Sequence, residues 1–328
     1  MIIMRVKSIV NLGKPQEKVY NLRIRCNDEY NHNYFANGVC VSNCHHATSA
    51  SIKNVLDKCT NLQYSMGVTG TFPKEDDIAN LYLQTYIGPN VYQLSSDSLI
   101  NTEKAACPIY VVFQNMDWAT IDEKKQLWLS RCQKDANPDD MTIGNQLLKQ
   151  ECEFVNNSYT RMKYIADMAI KMAHNTLVLF GDVKGGYGKS IADYIKENSD
   201  KHVYYVDGTT PPQNRDVYKE LCENDTEGRT VLVASIKTFG EGIDLCNIWS
   251  IFLVNSAKSE RIVRQICGRG LRKYEGKDKT ILYDFIDNLK YTETGKYNDN
   301  YMWKHYLERK KIYREQNFPT YEQKISFS

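Results

Sequence analysis

Thr176-Leu177-Val178-Leu179-Phe180 is a short apolar run, with His174-Asn175 before it and Gly181-Asp182 after it. A strand with one wet face alternates apolar and polar residues, whereas a strand that is apolar throughout is buried on both faces. Just upstream, Met162, Ile165, Ala166, Ala169, Ile170 and Ala173 recur at the helical interval, which predicts a helix with one apolar face. Downstream the alternation repeats. A helix is expected over about 189–197, a strand over 203–206, a helix near 215–223 and a strand over 230–234. Residues 251–254 read as another strand, followed by a helix through Gln265, and 281–283 as one more strand. Such alternation predicts an α/β fold with a parallel sheet covered on both faces. Ligands in such sheets bind outside the carboxyl ends of the strands.

The texture is different nearer the start. Val19-Tyr20-Asn21-Leu22-Arg23-Ile24 alternates cleanly, and Asn37-Gly38 lies between Tyr34-Phe35 and Val39-Cys40-Val41 as a hairpin turn signal. Residues 1–43 are therefore expected to form a small all-β module. Beyond it, a helical pattern spans about 47–57, and Tyr64-Ser65-Met66-Gly67-Val68 reads as a strand running into Thr69-Gly70-Thr71. Residues 107–160 are mixed and polar and read as a connector, with an apolar strand at 109–113 and a helical run carrying Trp118, Leu127 and Trp128. The expected division is 1–43, 44–106, 107–160 and 161–328.

The 328 residues leave room for two or three domains, and a hydrophobic share of 42% with 25% charged residues suits a globular chain with a sizeable core. The net charge of +2 gives no whole-chain electrostatic case for nucleic acid, so any such surface must be local. Ten cysteines follow no framework spacing, Met1-Ile2-Ile3-Met4-Arg5-Val6 is not a signal peptide, and no apolar run approaches the roughly 20 residues that span a bilayer. A cytoplasmic location with free thiols and no membrane partner is expected.

Gln265-Ile266-Cys267-Gly268-Arg269-Gly270-Leu271-Arg272 has the form Q-x-x-G-R-x-x-R. Two arginines three apart share a helical face, and their planar, permanently charged forks could both meet one phosphate chain. The plain alternative is a basic face making surface ion pairs. About 30 residues upstream, after the 230–234 strand, stands Gly240-Glu241-Gly242-Ile243-Asp244. Glycines there permit close backbone approach, and an Asp can accept from a ribose hydroxyl or hold an arginine. Alone this is an ordinary strand-to-helix loop; the two features in this order are more specific.

Together they resemble motifs V and VI of the superfamily-two helicases. The run from Thr176 through Asp287 is similar to the second RecA-like domain of the UvsW-like phage group. Cys44-His45-His46-Ala47-Thr48 looks like the tail of the D-E-C-H motif, and Gly67-Val68-Thr69-Gly70-Thr71 resembles motif III. The resemblance implies that Arg269 and Arg272 contact the γ-phosphate, with Gln265 and Gly268 beside them. It implies nucleotide and interdomain roles for Gly242 and Asp244, and proximity to the DNA backbone for Ser235 and Thr238. Thr69, Gly70 and Thr71 would transmit the nucleotide state, with His45 linking motif II to them. ATP and Mg2+ are the implied cofactors and branched or single-stranded DNA the implied partner.

Gly185-Gly186-Tyr187-Gly188-Lys189-Ser190 imitates a phosphate loop, but G-x-x-x-x-G-K-[ST] requires glycine at 183, where Val183 stands. It is expected to be a loop and helix start. Neither a phosphate loop nor the Asp-Glu of motif II is found; Val41-Ser42-Asn43 precedes Cys44. Mg-ATP would then be held mainly by another segment.

Residues 1–43 in turn resemble the C-terminal blocks of inteins, through Val19-Tyr20-Asn21-Leu22, His32-Asn33-Tyr34-Phe35 and the Asn43-Cys44 junction. A split-intein C-fragment implies trans-splicing with a separate chain carrying the intein N-fragment and the helicase N-terminal part. The Cys44 thiolate would attack the partner's thioester. Asn43 would cyclise to cut the 43–44 bond, with His32 moving protons. Ser42 stands where many inteins carry His, and Asn21 where Asp is usual; both are placed by the resemblance near the reaction. No cofactor is needed for splicing. The alternative is a non-splicing helicase C-terminal fragment that binds DNA or a partner. A zinc reading of Cys40, Cys44, His45 and His46 is opposed by the adjacent histidines and the lack of C-x-x-C. The tail 290–318 interleaves aromatic and basic residues; it reads as a helix packed on the last domain, with DNA contact as the second reading.

Overall fold

Along β5 (Thr176–Phe180), Leu177 and Leu179 face one hydrophobic core and Val178 and Phe180 face the other, so the strand is buried on both sides. It lies inside a seven-stranded sheet, between the strands Ser250–Leu253 and Thr230–Ser235, and the sheet's pairings among the described residues are all parallel. The computed structural model describes residues 34–36, 39–43, 64–68, 78–86, 107–118, 141–181, 185–240, 245–289 and 300–326. The chain divides into two units, 1–91 and 92–328.

In the first unit, β1 (Tyr34–Ala36) and β2 (Val39–Asn43) pair antiparallel with Ala36 opposite Val39, the hairpin that Asn37-Gly38 predicts. β2 also pairs in parallel with β3 (Tyr64–Val68), Val39 opposite Tyr64 and Asn43 opposite Val68. The sheet thus crosses the expected 43/44 boundary, so residues 34–43 are not closed off as a separate all-β module. Helix α1 (Ile78–Tyr86) follows. The strands expected near residues 2–10 and 19–24 and the helix expected over 47–57 lie outside the described residues.

In the second unit the order is β10-β4-β9-β8-β5-β7-β6, where β4 is Ile109–Asp117, β6 His202–Val206, β7 Thr230–Ser235, β8 Ser250–Leu253, β9 Thr280–Asn288 and β10 Thr320–Ser326. The helices are α2 (Met141–Asn156), α3 (Tyr159–Lys171), α4 (Tyr187–Asn198), α5 (Pro212–Asn224), α6 (Ile236–Gly240), α7 (Glu260–Gly270) and α8 (Tyr301–Glu315). The α3 start is set by Ser158, whose Oγ accepts from the Arg161 N–H at 3.3 Å. Two cores, one on each face, match the expected double coverage.

The connector reading of 107–160 needs correction. Its strand runs on to Asp117 as β4 and sits inside the sheet between β9 and β10. Trp118 follows that strand directly and is buried, rather than lying on a helix. The tail helix packs as expected: α8 buries Met302, Tyr306, Arg309, Ile312 and Tyr313. No helix among the described residues is long and apolar enough to cross a membrane.

Candidate nucleotide-binding face

α7 buries Val263, Ile266, Cys267 and Gly270, one stripe at the helical interval. A Cβ on Gly270 would stand 3.1 Å from Ile109, 3.3 Å from Ile251 and 3.3 Å from Thr280, so glycine lets the helix end lie directly on the sheet. Ile109 and Thr280 open β4 and β9, and Ile251 is the second residue of β8. The arginine-bearing end of α7 is therefore at the amino edge of the strands, because the helix runs back antiparallel to β8. The expectation that the carboxyl edge matters most does not extend to these arginines.

Arg269 and Arg272 are both half-buried. The Arg269 guanidinium lies over the Phe239 ring of α6 at 4.8 Å, a cation–π contact. Arg272 stands past the last helical residue, with its N–H bonded to the Arg269 carbonyl at 3.2 Å. The helix ends at Gly270, and the tighter turn that follows links residues three apart, Leu271 keeping right-handed helical dihedrals. Burial lowers the pKa of each, and Glu223 opposes that at Arg272. Desolvated guanidinium groups interact more strongly with an incoming anion than solvated ones do. Gln265 is half-buried on the same helix and Gly268 exposed.

The segment after Arg272 is held by Lys277, which sequence reasoning missed. Its ammonium donates to the carbonyls of Cys246 at 3.3 Å, Gly270 at 3.2 Å and Arg272 at 3.0 Å. Burial pushes its pKa down to about 8. The Thr280 hydroxyl adds a bond to Gly270 O at 2.7 Å. These contacts satisfy carbonyls left over at the helix end.

The lead-in to α7 is gripped residue by residue. Val254 O accepts from Arg161 at 2.7 Å, Asn255 donates to Asn156 Oδ1 at 3.3 Å, Ser256 Oγ meets His305 Nδ1 at 2.6 Å, and Ala257 O accepts from Arg309 at 3.1 Å. A charged residue inside an apolar strand, here Asp284 or Asp287 in β9, was the one sequence sign that buried arginines such as these would be found.

At the carboxyl edge the crossovers from β5 and β8 depart in opposite directions, and just past those strands Gly181 and Asn255 pack closely, with Asn255 Cβ 3.3 Å from where a Cβ on Gly181 would stand. Ser235 ends β7 and starts α6: its Oγ donates to Thr238 Oγ1 at 2.7 Å and accepts from the Thr238 N–H at 3.2 Å. Both side chains are buried, so they shape this turn from inside. Gly186 caps α4 in the left-handed conformation and Tyr187 Oη is bonded by Arg161, which fits a loop and helix start. Gly242, Asp244, Asn21, His32, Cys44, His45, Thr69, Gly70 and Thr71 lie outside the described residues, and of Ser42 and Asn43 only the place in β2 is described. No group of His, Cys, Asp and Glu among the described residues is arranged to hold a metal ion.

Residues 160–274 match the family described as helicase conserved C-terminal domain. The ATP-dependent DNA helicase uvsW of Enterobacteria phage T4 is 29% identical over 288 residues, covering 84% of this chain and 52% of that protein. IRC3 of Saccharomyces cerevisiae is 25% identical over 263 residues, covering 78% of this chain and 35% of that protein. The chain therefore spans about half or less of the length of these relatives. Among solved structures, the ATP-dependent Type ISP restriction-modification enzyme LlaBIII bound to DNA aligns with a TM-score of 0.52 at 14% identity, over 88% of this chain and 21% of that one. That last likeness is one of fold, an α/β RecA-like domain with a parallel sheet.

Proposed function

We propose that this chain supplies the second RecA-like domain of an ATP-dependent DNA helicase and the closing part of the first, and that by itself it is a DNA- and partner-binding module. Arg269 and Arg272 reach the terminal phosphate of ATP from the end of α7. Gln265 and Gly268 stand on the same helix, and Gly242 and Asp244 serve the cleft. ATP and Mg2+ are held mainly by a phosphate loop and an Asp-Glu pair on another RecA-like segment. The observation that carries the reading is the Q-x-x-G-R-x-x-R helix end, desolvated and clamped by Lys277, inside the 160–274 helicase match. Arginine fingers act by neutralising charge on the transferring phosphoryl group, an effect worth about 10³–10⁵ in rate.

The test is an ATPase measurement on the 328-residue chain alone and after mixing with the N-terminal half of a UvsW-like helicase. DNA-stimulated hydrolysis should arise only in the mixture and fall about a thousandfold with Arg269→Ala. Hydrolysis by the chain alone, or a mixture indifferent to Arg269→Ala, contradicts the reading.

A second reading concerns the Asn43-Cys44 bond, and its support is the sequence of residues 1–43 together with the hairpin that ends on Asn43. Cys44 would take the acyl group of a partner's thioester. The Asn43 side-chain nitrogen would then attack its own carbonyl carbon, breaking the 43–44 bond and freeing the Cys44 amine. That amine would displace the thiol and leave an ordinary peptide. The parallel pairing of β2 with β3 favours the non-splicing reading, in which Val39–Asn43 is a strand of the first RecA-like sheet. Mixing with an intein N-fragment discriminates: a ligated product that disappears with Asn43→Ala supports splicing, and an uncut chain refutes it.

A further inference from the structure

α8 has one locked face and one basic face. On the locked side, Arg309 is held by both Asp284 oxygens, at 2.8 and 2.7 Å, and Tyr313 Oη donates to the same carboxylate at 3.0 Å. His305 reaches Ser256, and Glu315 accepts from Arg264 of α7 at 2.9 Å. The helix is thereby fixed against sliding or rolling, and it is tied to the helix that carries Arg269.

On the other side Lys304, Leu307, Lys311 and Arg314 are exposed, and Lys310 rests its ammonium over the rings of Phe113 and Tyr306 at 5.6 and 5.3 Å. With Glu308, which pairs with Lys311 at 2.9 Å, these residues line a shallow cavity of about 430 Å³. The Arg309 charge is matched by Asp284 and the Glu315 charge by Arg264. The outer face therefore sets four cations against Glu308, in a chain whose whole net charge is +2. Such a local concentration is what a polyanion reads.

We propose that this outer face of α8 docks the phosphate backbone of DNA, as a contact outside the 160–274 helicase match. The proposal rests on the DNA-helicase reading above. A row of cations along a rigid helix suits an extended anion better than one small ion, since the groups do not converge on a point. Leu307 is the one apolar exposed residue of the patch, so a ligand without side chains fits better than an acidic peptide. Preorganisation by the locked face means that little ordering is needed on contact.

The experiment is fluorescence anisotropy of a labelled DNA duplex with the 328-residue chain over a salt series. Replacing Lys304, Lys311 and Arg314 with Gln should reduce the slope of log affinity against log salt by roughly 2–3, at about 0.9 per phosphate contact, and weaken low-salt binding about tenfold or more. The matched control, Lys171→Gln with Lys196→Gln and Lys279→Gln, removes equal charge elsewhere and should leave the slope in place. All six positions are exposed, and circular dichroism checks that each variant is folded. DNA binding with an unchanged slope in the α8 variant, or an equal loss in the control, overturns this proposal alone. Failure of the unaltered chain to bind DNA at low salt overturns the helicase reading with it. Binding of polyglutamate at this face in preference to DNA would assign the patch to an acidic protein and overturn the proposal.

Discussion

Arg161 and Asp287 form a two-pronged ion pair with no solvent exposure, Nε to Oδ1 at 2.8 Å and Nη2 to Oδ2 at 2.7 Å. Trp118 Nε1 adds a bond to Oδ1 at 3.0 Å. Burial opposes the charge on Arg161, and the Asp287 carboxylate more than offsets this and raises its pKa. Three residues earlier on β9, Asp284 holds Arg309 in the same way. An odd separation along a strand sends the two carboxylates to opposite faces of the sheet. The arginines then reach Val254 O and Ala257 O, so the turn that launches α7 is gripped from both sides.

Asp287→Ala should accordingly destabilise the second unit by about 3–5 kcal/mol, because it strands a buried guanidinium. Arg161→Met combined with Asp287→Leu should recover much of that loss, since a well-packed apolar pair removes both desolvated charges. Urea unfolding followed by tryptophan fluorescence measures both. A double variant no better than Asp287→Ala would show that the shape of the pair, rather than its charge, is what matters.

Gly188 tests whether the imitation phosphate loop is chemical or structural. A Cβ there would overlap the buried Phe180 ring. Gly188→Ala should therefore lower stability by about 1–3 kcal/mol through overpacking. In the helicase mixture described above, its KM for ATP should stay within a factor of two of the parent, a tolerance of about 0.4 kcal/mol. A large KM change with stability intact would make this loop part of the nucleotide site.

Strands β5 to β9 were legible because continuous apolar runs such as 176–180 leave little alternative to a doubly covered strand. β4 was visible as a strand but not as a sheet member, since its partner Thr280–Asn288 is distant in sequence and no local pattern encodes that pairing. β10 is polar, an edge strand exposed along most of its length, and gives no burial signal. Of the candidate site, Gln265 to Arg272 was readable as a motif, but its place at the amino edge depends on the direction of α7. Lys277 sits in Gly276-Lys277-Asp278-Lys279, which reads as a solvated turn; only the fold converts it into a clamp.

His305 predicts an acid limb. Burial, with Arg309 and then Lys258 nearby, lowers its pKa from 6.5 to about 4. Between those values the unfolded chain binds a proton that the folded chain refuses. Stability from this group is complete above about pH 6.5 and is lost as pH falls toward 4. Allowing for partial exposure, the loss is about 2 kcal/mol. His305→Gln should flatten the unfolding midpoint between pH 6.5 and 4 relative to the parent. Parallel curves for the two proteins would contradict the assignment.

Lys277 predicts a change of the same sign at alkaline pH. Its ammonium has three donors and meets three carbonyls, at 3.3, 3.2 and 3.0 Å. Its folded pKa of about 8 lies below the ordinary 10.5 because of burial, so between those values the unfolded chain holds the extra proton. This group's contribution to stability therefore rises with pH across that window. At pH 7 Lys277→Met leaves the carbonyls of Gly270 and Arg272 without this donor, and a loss of about 1–3 kcal/mol is expected. The gap between parent and variant should then widen from pH 8 to 10.5, as only the parent sheds a buried charge. Amide exchange should report the same clamp locally, with faster exchange at Leu271 and Arg272 in the variant while β5 and β7 keep their protection. A gap that narrows with pH would mean that the folded lysine retains its proton, and that the clamp on Arg272 is stronger than its burial implies.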